Sequence, residues 1–160
     1  MEKKIEVKKS EIHGKGIFSA KNLTKGESVF VIKGKERKFL VKSQEDALFG
    51  SNWIGVGKNI WIDVAAPAVY LNHSCEPNVG IRGKVVVVAL KDIRKGEEIL
   101  LDYSITERES LWYMKCSCGA KKCRKVIRSI QHLPKEVFHK YMPYVPRFFA
   151  TLYKRINNEN

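Results

Sequence analysis

The 160-residue chain carries 30 lysine and arginine side chains against 17 aspartate and glutamate side chains, a formal net charge of +13. With 44% hydrophobic residues, it is long enough for one domain with a modest core and too short for two large ones. The charge favours an anionic partner, such as nucleic acid or an acidic surface, but an ordinary solvated basic surface explains it equally well.

The sequence predicts neither a signal peptide nor a membrane-spanning helix. Charged residues interrupt the apolar ones throughout residues 1–9, which is not typical of a signal peptide. The apolar run at residues 85–90 is far shorter than the ~20 residues of a membrane-spanning helix. We therefore expect an intracellular, soluble protein with no membrane partner.

Short strands separated by polar turns are predicted for most of the first hundred residues. Residues 5–8 alternate charged and apolar side chains, as an edge strand does. The turn sequence Lys-Gly-Glu occurs at residues 25–27 and again at 95–97, and an apolar run follows each copy. Residues 84–90 predict a central buried strand. Two tryptophans are interpreted as core residues rather than ligand platforms: Trp53 and Trp61.

Three short helices are predicted. Ser43 can cap the first, with Asp46 three residues later and Gly50 able to end it in a left-handed conformation. We interpret this helix as purely structural. Pro134 can open a second helix at its first position, and apolar residues follow at helical spacing up to Tyr141. Pro143 and Pro146 break that helix, and the apolar residues at 148–153 suggest a third short one. The apolar stripe favours packing against the body of the domain, with a dimer contact or a cap over a ligand site as alternatives.

The cysteines suggest a metal site. Cys116, Cys118 and Cys123 supply three thiols within eight residues, tetrahedral zinc needs a fourth ligand, and Cys75 is the only cysteine left. In a reducing compartment metal binding is more common than disulfide formation. Disulfides, free thiols packed as small hydrophobes and an iron–sulfur cluster are the alternatives. A bridge between neighbouring Cys116 and Cys118 would be strained, and the usual ferredoxin spacings are absent.

Two further motifs are weak by themselves. Gly14 and Gly16 permit a tight turn and a close approach of a ligand to backbone amides, although an ordinary hairpin turn is the commoner origin of Gly-x-Gly. His73 alone would be a turn histidine, and Tyr103 alone a core tyrosine with a satisfied hydroxyl.

Taken together and in this order, three segments resemble the SET-domain protein lysine methyltransferases with a post-SET zinc segment: residues 72–75 (Asn-His-Ser-Cys), 96–103 (Gly-Glu-Glu-Ile-Leu-Leu-Asp-Tyr) and 116–125. The resemblance implies a mainly β, β-rich α+β fold, the β-clip of several small sheets with a pseudoknot-like crossing. It divides the chain into a SET domain at 1–107, a post-SET zinc segment at 108–126 and a C-terminal helical extension at 127–160.

The resemblance also implies S-adenosylmethionine-dependent methyl transfer to a deprotonated lysine in a narrow channel, with S-adenosylhomocysteine as product. Tyr103 would be the catalytic residue and would orient and polarise, because a phenol pKa near 10 leaves little phenolate at neutral pH. The implied cofactor contacts are Lys15, Gly16, Ile17, Asn72, His73 and Tyr103, with Gly14 completing the glycine pair. The implied Zn²⁺ ligands are Cys75, Cys116, Cys118 and Cys123.

The implied acceptor is a histone or another lysine-rich basic protein with an exposed lysine. The basic surface adds a possible contact with nucleic acid or a nucleosome, and the location would be cytoplasmic in a prokaryote and nuclear or chromosomal for an enzyme of chromatin. Leu101 replaces the Phe or Tyr that commonly helps to set the number of methyl groups, so the product state stays open. The alternative function is a catalytically inactive basic zinc-containing module that binds nucleic acid or protein.

Overall fold

The computed structural model describes residues 3–50 and 52–159. Within them the chain forms twelve short strands: β1 Ile5–Lys9, β2 Lys15–Ser19, β3 Ser28–Val31, β4 Gly34–Lys38, β5 Trp53–Gly57, β6 Ile60–Val64, β7 Asn72–His73, β8 Val79–Arg82, β9 Val86–Ala89, β10 Leu100–Leu101, β11 Tyr113–Lys115 and β12 Val126–Arg128. The α-helices are α1 Gln44–Leu48, α2 Lys135–Tyr141 and α3 Arg147–Ile156, and three single-turn 3-10 helices lie at Ala68–Tyr70, Tyr103–Thr106 and Ile130–His132.

The largest sheet contains five strands in the order β3-β9-β8-β10-β7. β9 lies between β3 and β8, and Val87, Val88 and Ala89 are completely buried. The prediction of a central buried strand at residues 84–90 is therefore confirmed. Three smaller sheets, β1-β2, β4-β6-β5 and β11-β12, surround it.

The crossing is the feature of this sheet that builds the site. β7 and β10 are parallel neighbours, with Asn72 opposite Leu100 and His73 opposite Leu101. β10 also pairs in parallel with β8, so it lies between β7 and β8, which are consecutive strands earlier in the chain. The chain leaves β10 directly into Tyr103. The predicted β-rich fold with a pseudoknot-like passage is confirmed.

The helices follow the predicted caps closely. The Ser43 hydroxyl accepts the Asp46 backbone N–H while the Asp46 carboxylate accepts the Ser43 N–H, and this capping box opens α1. Gly50, just beyond the end of α1, has φ +72°. Pro134 is the N-cap of α2 rather than its first residue, because its ψ of 140° is extended.

The C-terminal helices pack against the body. Phe138, Phe149 and Tyr153 are at most 1% exposed and share one core with the strands of the large sheet. The Phe138 and Tyr153 rings stack with their centroids 3.9 Å apart. Packing against the body was the favoured prediction for this apolar stripe. Across residues 3–50 and 52–159, the helices lack the length and apolar character needed to cross a bilayer.

Candidate active site and metal centre

Asn72 connects the crossing to the glycine turn, residues 13–16. Its side-chain nitrogen donates to the backbone oxygens of His13 (3.2 Å) and Lys15 (3.0 Å) and to the Glu98 carboxylate (2.8 Å). The second Glu98 oxygen accepts the Ser10 hydroxyl at 3.0 Å. Among residues 3–50 and 52–159, none donates a hydrogen bond to the Asn72 side-chain oxygen. That oxygen can therefore accept a hydrogen bond from a ligand.

The two glycines of the turn are required for different reasons. Gly14 has φ +48°, a left-handed conformation that L side chains rarely adopt, and the space around it is open. At Gly16 a Cβ would collide with the Glu98 carboxylate. Ile17 is completely buried, and its carbonyl accepts the Ile99 N–H at 2.7 Å, so it fixes the strand that follows the turn. Lys15 is exposed on β2.

Tyr103 lies beside His73 across the crossing. The Tyr103 backbone N–H donates to His73 Nδ1 at 3.1 Å, and the two rings meet edge to face at 5.2 Å. The Tyr103 hydroxyl donates to the Leu71 carbonyl at 2.7 Å. Burial raises the pKa of Tyr103 to about 12. The phenol is therefore protonated at neutral pH, and its oxygen keeps lone pairs for a second partner.

A buried carboxylate next to Tyr103 joins three parts of the chain. Asp102 is completely buried and accepts two 2.7 Å hydrogen bonds from the Arg124 guanidinium and one of 2.9 Å from the Tyr141 hydroxyl. Burial alone would raise the pKa of Asp102, but the hydrogen bonds and charge of Arg124 outweigh it and lower that pKa. Sequence reasoning missed Asp102, Arg124 and Tyr141. The usable indication was that Asp102 follows a buried strand, where a carboxylate needs a cationic partner.

The thiols of the crossing and of the C-terminal segment come together. The sulfurs of Cys75 and Cys116 are 3.8 Å apart, and the ligand atoms of His73, Cys75, Cys116 and Cys118 all lie within 4.8 Å of one another. Two sulfurs bound at ~2.3 Å to a tetrahedral zinc are about 3.8 Å apart, whereas a disulfide requires about 2.05 Å. The donor set therefore fits a metal better than a disulfide.

Cys123 lies at the edge of this cluster. Its thiol donates to the Cys116 carbonyl at 3.6 Å and packs against the same buried residues. Burial raises the pKa of the Cys75 and Cys116 thiols. At Cys118 burial acts in the same direction, but backbone N–H donors at Cys75 and Ala120 and neighbouring thiols outweigh it and lower the pKa to about 7.

His73 lies between the metal centre and the active site. Its Nε2 faces the Cys75 sulfur at 3.4 Å while its Nδ1 faces Tyr103. Burial lowers the pKa of His73 to about 4, so the ring is neutral at pH 7 and carries one N–H. Because Nδ1 accepts the Tyr103 N–H, that single proton is on Nε2 and donates to Cys75.

A cavity of about 260 Å³ opens beside Tyr103. Leu71, Leu101 and Tyr103 line it. Of the predicted cofactor contacts only Tyr103 lines this cavity, whereas those in the glycine turn and in β2 and β7 do not. One side is an aromatic wall formed by Phe39, Phe49 and Trp53, whose ring centroids are 5.5 to 5.7 Å apart.

The aromatic wall bears on two interpretations made from the sequence. The purely structural role of residues 43–50 stays a prediction, and Asp46, Leu48 and Phe49 of this segment line the cavity. Both tryptophans line the cavity. Trp61 is 6% exposed, as a core residue should be, whereas Trp53 is half-buried.

Glu107 is a second buried carboxylate and, unlike Asp102, it lines this cavity. One of its oxygens accepts the backbone N–H groups of Arg108 (2.8 Å) and Glu109 (2.9 Å). Burial raises the pKa of Glu107 to about 7, against the lowering effect of these two hydrogen bonds.

The chain matches the SET domain family over residues 14–104. It is 31% identical over 138 residues to the histone-lysine N-methyltransferase trithorax of Drosophila virilis, covering 77% of this chain and 4% of that protein. It is 29% identical over 133 residues to the H3 lysine-4 specific histone-lysine N-methyltransferase of Saccharomyces cerevisiae, covering 72% of this chain and 12% of that protein. The chain thus spans only a small part of the length of these curated relatives.

A solved structure of KRYPTONITE in complex with mCHH DNA, an H3(1–15) peptide and SAH shares the fold. The TM-score is 0.59 at 23% identity, and the alignment covers 76% of this chain and 29% of that one. Since the family match covers more than half of the chain and includes the glycine turn, the crossing and Tyr103, the chain belongs to the SET domain family.

Proposed function

We propose that this chain is an S-adenosylmethionine-dependent protein lysine N-methyltransferase whose acceptor is a histone or another lysine-rich basic protein. One observation carries the proposal: in the crossing, Tyr103 at the cavity bonds to His73, and the adjacent Asn72 bonds to the glycine turn. The names of the relatives, all histone-lysine N-methyltransferases, support it. In a cell with chromatin, a histone acceptor implies a nuclear or chromosomal location.

The cofactor would be held at the glycine turn and the crossing. When bound, S-adenosylmethionine supplies a methyl group on a positively charged sulfur. The Asn72 side-chain oxygen suits an ammonium group, because it accepts no hydrogen bond within residues 3–50 and 52–159. The open space at Gly14 lets a ligand approach the backbone of Lys15 and Gly16. Ile17 and His73 contribute through the strands that fix this backbone.

The acceptor amine must lose its proton before it can react. A lysine of pKa ~10.4 is neutral in only about one molecule in a thousand at pH 7. A mostly apolar cavity disfavours the charged form and so raises the neutral fraction. Tyr103 is protonated and donates to Leu71, so it cannot be the base. We assign its phenol oxygen to accept an amine N–H and hold the nitrogen in line for attack.

We further propose a Zn²⁺ ion held by Cys75, Cys116, Cys118 and Cys123. His73, and not Cys123, lies within 4.8 Å of the Cys75, Cys116 and Cys118 thiols. Its Nε2 carries the proton that donates to Cys75, however, and therefore has no lone pair for a metal. Cys123 is the remaining thiol, so we assign it as the fourth ligand.

The ion would attach a post-SET segment at 108–126 to a SET domain at 1–107, with a helical extension at 127–160 packed on both. Elemental analysis should find about one zinc per chain. Replacing Cys118 by Ser should lower the zinc content and weaken cofactor binding together. Full cofactor affinity in a zinc-free Cys118→Ser protein would show that the metal does not support the cofactor site.

Transfer of labelled methyl groups tests the enzymatic function. The purified chain with labelled cofactor should methylate core histones or another lysine-rich protein, and Tyr103→Phe should reduce the rate by about 100-fold or more. Tyr113→Phe is the matched control, since Tyr113 is an exposed tyrosine at the cavity rim, and its rate should stay within about threefold. A wild-type chain that binds no cofactor would contradict the proposal and favour the non-catalytic module.

A further inference from the structure

A second concavity, of about 680 Å³, lies on the surface formed by α3 and the turns of two hairpins. Five cationic residues line it: Lys58, Lys84, Arg108, Arg147 and Arg155. Within the described part of the chain no aspartate or glutamate lines it. We call it the basic groove.

Most of these cations form no ion pair with another described residue. Within residues 3–50 and 52–159, Lys58, Lys84, Arg147 and Arg155 form no ion pair, while Arg108 lies 3.5 Å from Glu109. Elsewhere the chain does pair its charges, for example Arg37 with Asp63 at 2.8 Å. Four like charges facing one concavity repel one another, so an anion bound there would relieve that repulsion.

The spacing of the cations suits a repeating anion. Arg147, Thr151 and Arg155 are four residues apart on α3 and therefore lie on one helix face, and the two arginines are about 12 Å apart along the axis. Successive phosphates of one DNA strand rise ~3.4 Å, so this row spans about three to four of them. The half-buried Phe148 ring also lines the groove and offers a surface on which a base can stack.

We propose that the basic groove binds the sugar-phosphate backbone of a nucleic acid. Two arginines about 12 Å apart on one helix face, with three further cations and an aromatic ring lining the same concavity, fit an extended polyanion that carries bases. The local acidic patch of a folded protein carries no bases. The net charge of +13 adds long-range attraction for the same partner.

The groove adjoins the cavity at Tyr103. On β5, Ile54 lines the cavity and Val56 lines the groove. Likewise, Glu107 lines the cavity and the next residue, Arg108, lines the groove. A nucleic acid in the groove would thus lie beside the cavity and bring a basic acceptor protein close despite its charge. This consequence rests on the proposed function, whereas the binding itself does not.

Fluorescence anisotropy in the absence of cofactor tests the binding. The probes are a duplex of about 20 base pairs, a single strand of the same length and polyglutamate, titrated between about 50 and 200 mM salt. We expect nucleic acid to bind more tightly than polyglutamate, with log K falling against log salt at a slope of about −3 to −4. A tighter single strand would indicate stacking on Phe148, and a tighter duplex would indicate backbone binding alone.

Paired substitutions locate the site. Arg147→Gln with Arg155→Gln should weaken nucleic-acid binding by about tenfold or more and reduce the salt slope by about 2. Arg94→Gln with Arg128→Gln removes two exposed arginines that do not line the groove and should change affinity less than about threefold. Equal losses in the two pairs, no binding, or a preference for polyglutamate would each overturn the proposal. Methyl transfer to a free peptide is measured alongside, so that failure of the proposed function is seen separately.

Discussion

The crossing and the aromatic wall border the same cavity but are built in opposite ways. In the crossing, Asn72, His73 and Asp102 are between 0% and 7% exposed, and hydrogen bonds engage the side chain of each. In the wall, Phe49 is 63% exposed and its neighbours are apolar. A buried polar network permits one geometry only, since each broken hydrogen bond leaves an unpaired group. An exposed apolar surface tolerates change and is suited to contact a partner.

The largest loss of stability is expected when a charge of the crossing is removed. Asp102→Asn removes the charge that balances the largely buried Arg124 and should lower the free energy of unfolding by about 3 to 5 kcal/mol. Urea unfolding measures it. Asp63→Asn breaks a more exposed pair with Arg37 and should cost less than about 1 kcal/mol. Similar losses of unfolding free energy in both variants would show that the ion pair in the crossing contributes no more to stability than a surface ion pair.

The charge of Glu107 should destabilise the folded state, whereas the charge of Asp102 stabilises it. The pKa of Glu107 is raised by burial from 4.5 to about 7. As pH rises between these values the unfolded chain loses this proton before the folded chain does, so the contribution of Glu107 to stability is full below about pH 4.5 and falls until about pH 7.

Glu107→Gln tests this sign. Glutamine cannot ionise, and its side-chain oxygen can still accept the N–H groups of Arg108 and Glu109. The variant should therefore gain up to about 3 kcal/mol over the wild type between pH 4.5 and pH 8. Denaturant unfolding of both proteins at each pH gives the difference. A difference that does not change with pH would contradict the assigned burial effect.

The smallest effect on stability is expected in the wall. Phe49→Ala should change the free energy of unfolding by less than about 1 kcal/mol, because the ring is mostly exposed. It should raise the KM for the acceptor by about tenfold if the wall contacts the acceptor, as the proposed function implies. Leu40→Ala is the control, since Leu40 is 55% exposed and does not line the cavity. An unchanged KM for Phe49→Ala would remove the wall from acceptor binding.

The parts of this fold that were predictable from the sequence depend on contacts between near neighbours. Ser43 and Asp46 of the capping box are three positions apart, and the strand patterns need only alternating side chains. Cys75 could be linked to distant cysteines because zinc requires four ligands. The metal and cofactor ligands themselves stay predictions.

The contacts that escaped prediction are long-range and lack such a rule. Asp102 meets Arg124 and Tyr141 from 22 and 39 residues away, and many other arginines and tyrosines would have satisfied the same carboxylate. The aromatic wall was missed for a similar reason. Phe39, Phe49 and Trp53 show no periodicity, and only the fold around α1 brings their rings together.

The central claim is that the glycine turn and the crossing at Asn72 hold one cofactor, and titration calorimetry with S-adenosylhomocysteine tests it most directly. The wild type should bind one molecule per chain, Tyr103→Phe should bind within about threefold of it, and Asn72→Ala should bind about tenfold more weakly or worse. Thermal unfolding of each variant confirms that it is folded. Equal affinity in all three proteins, or no binding by the wild type, would contradict the account.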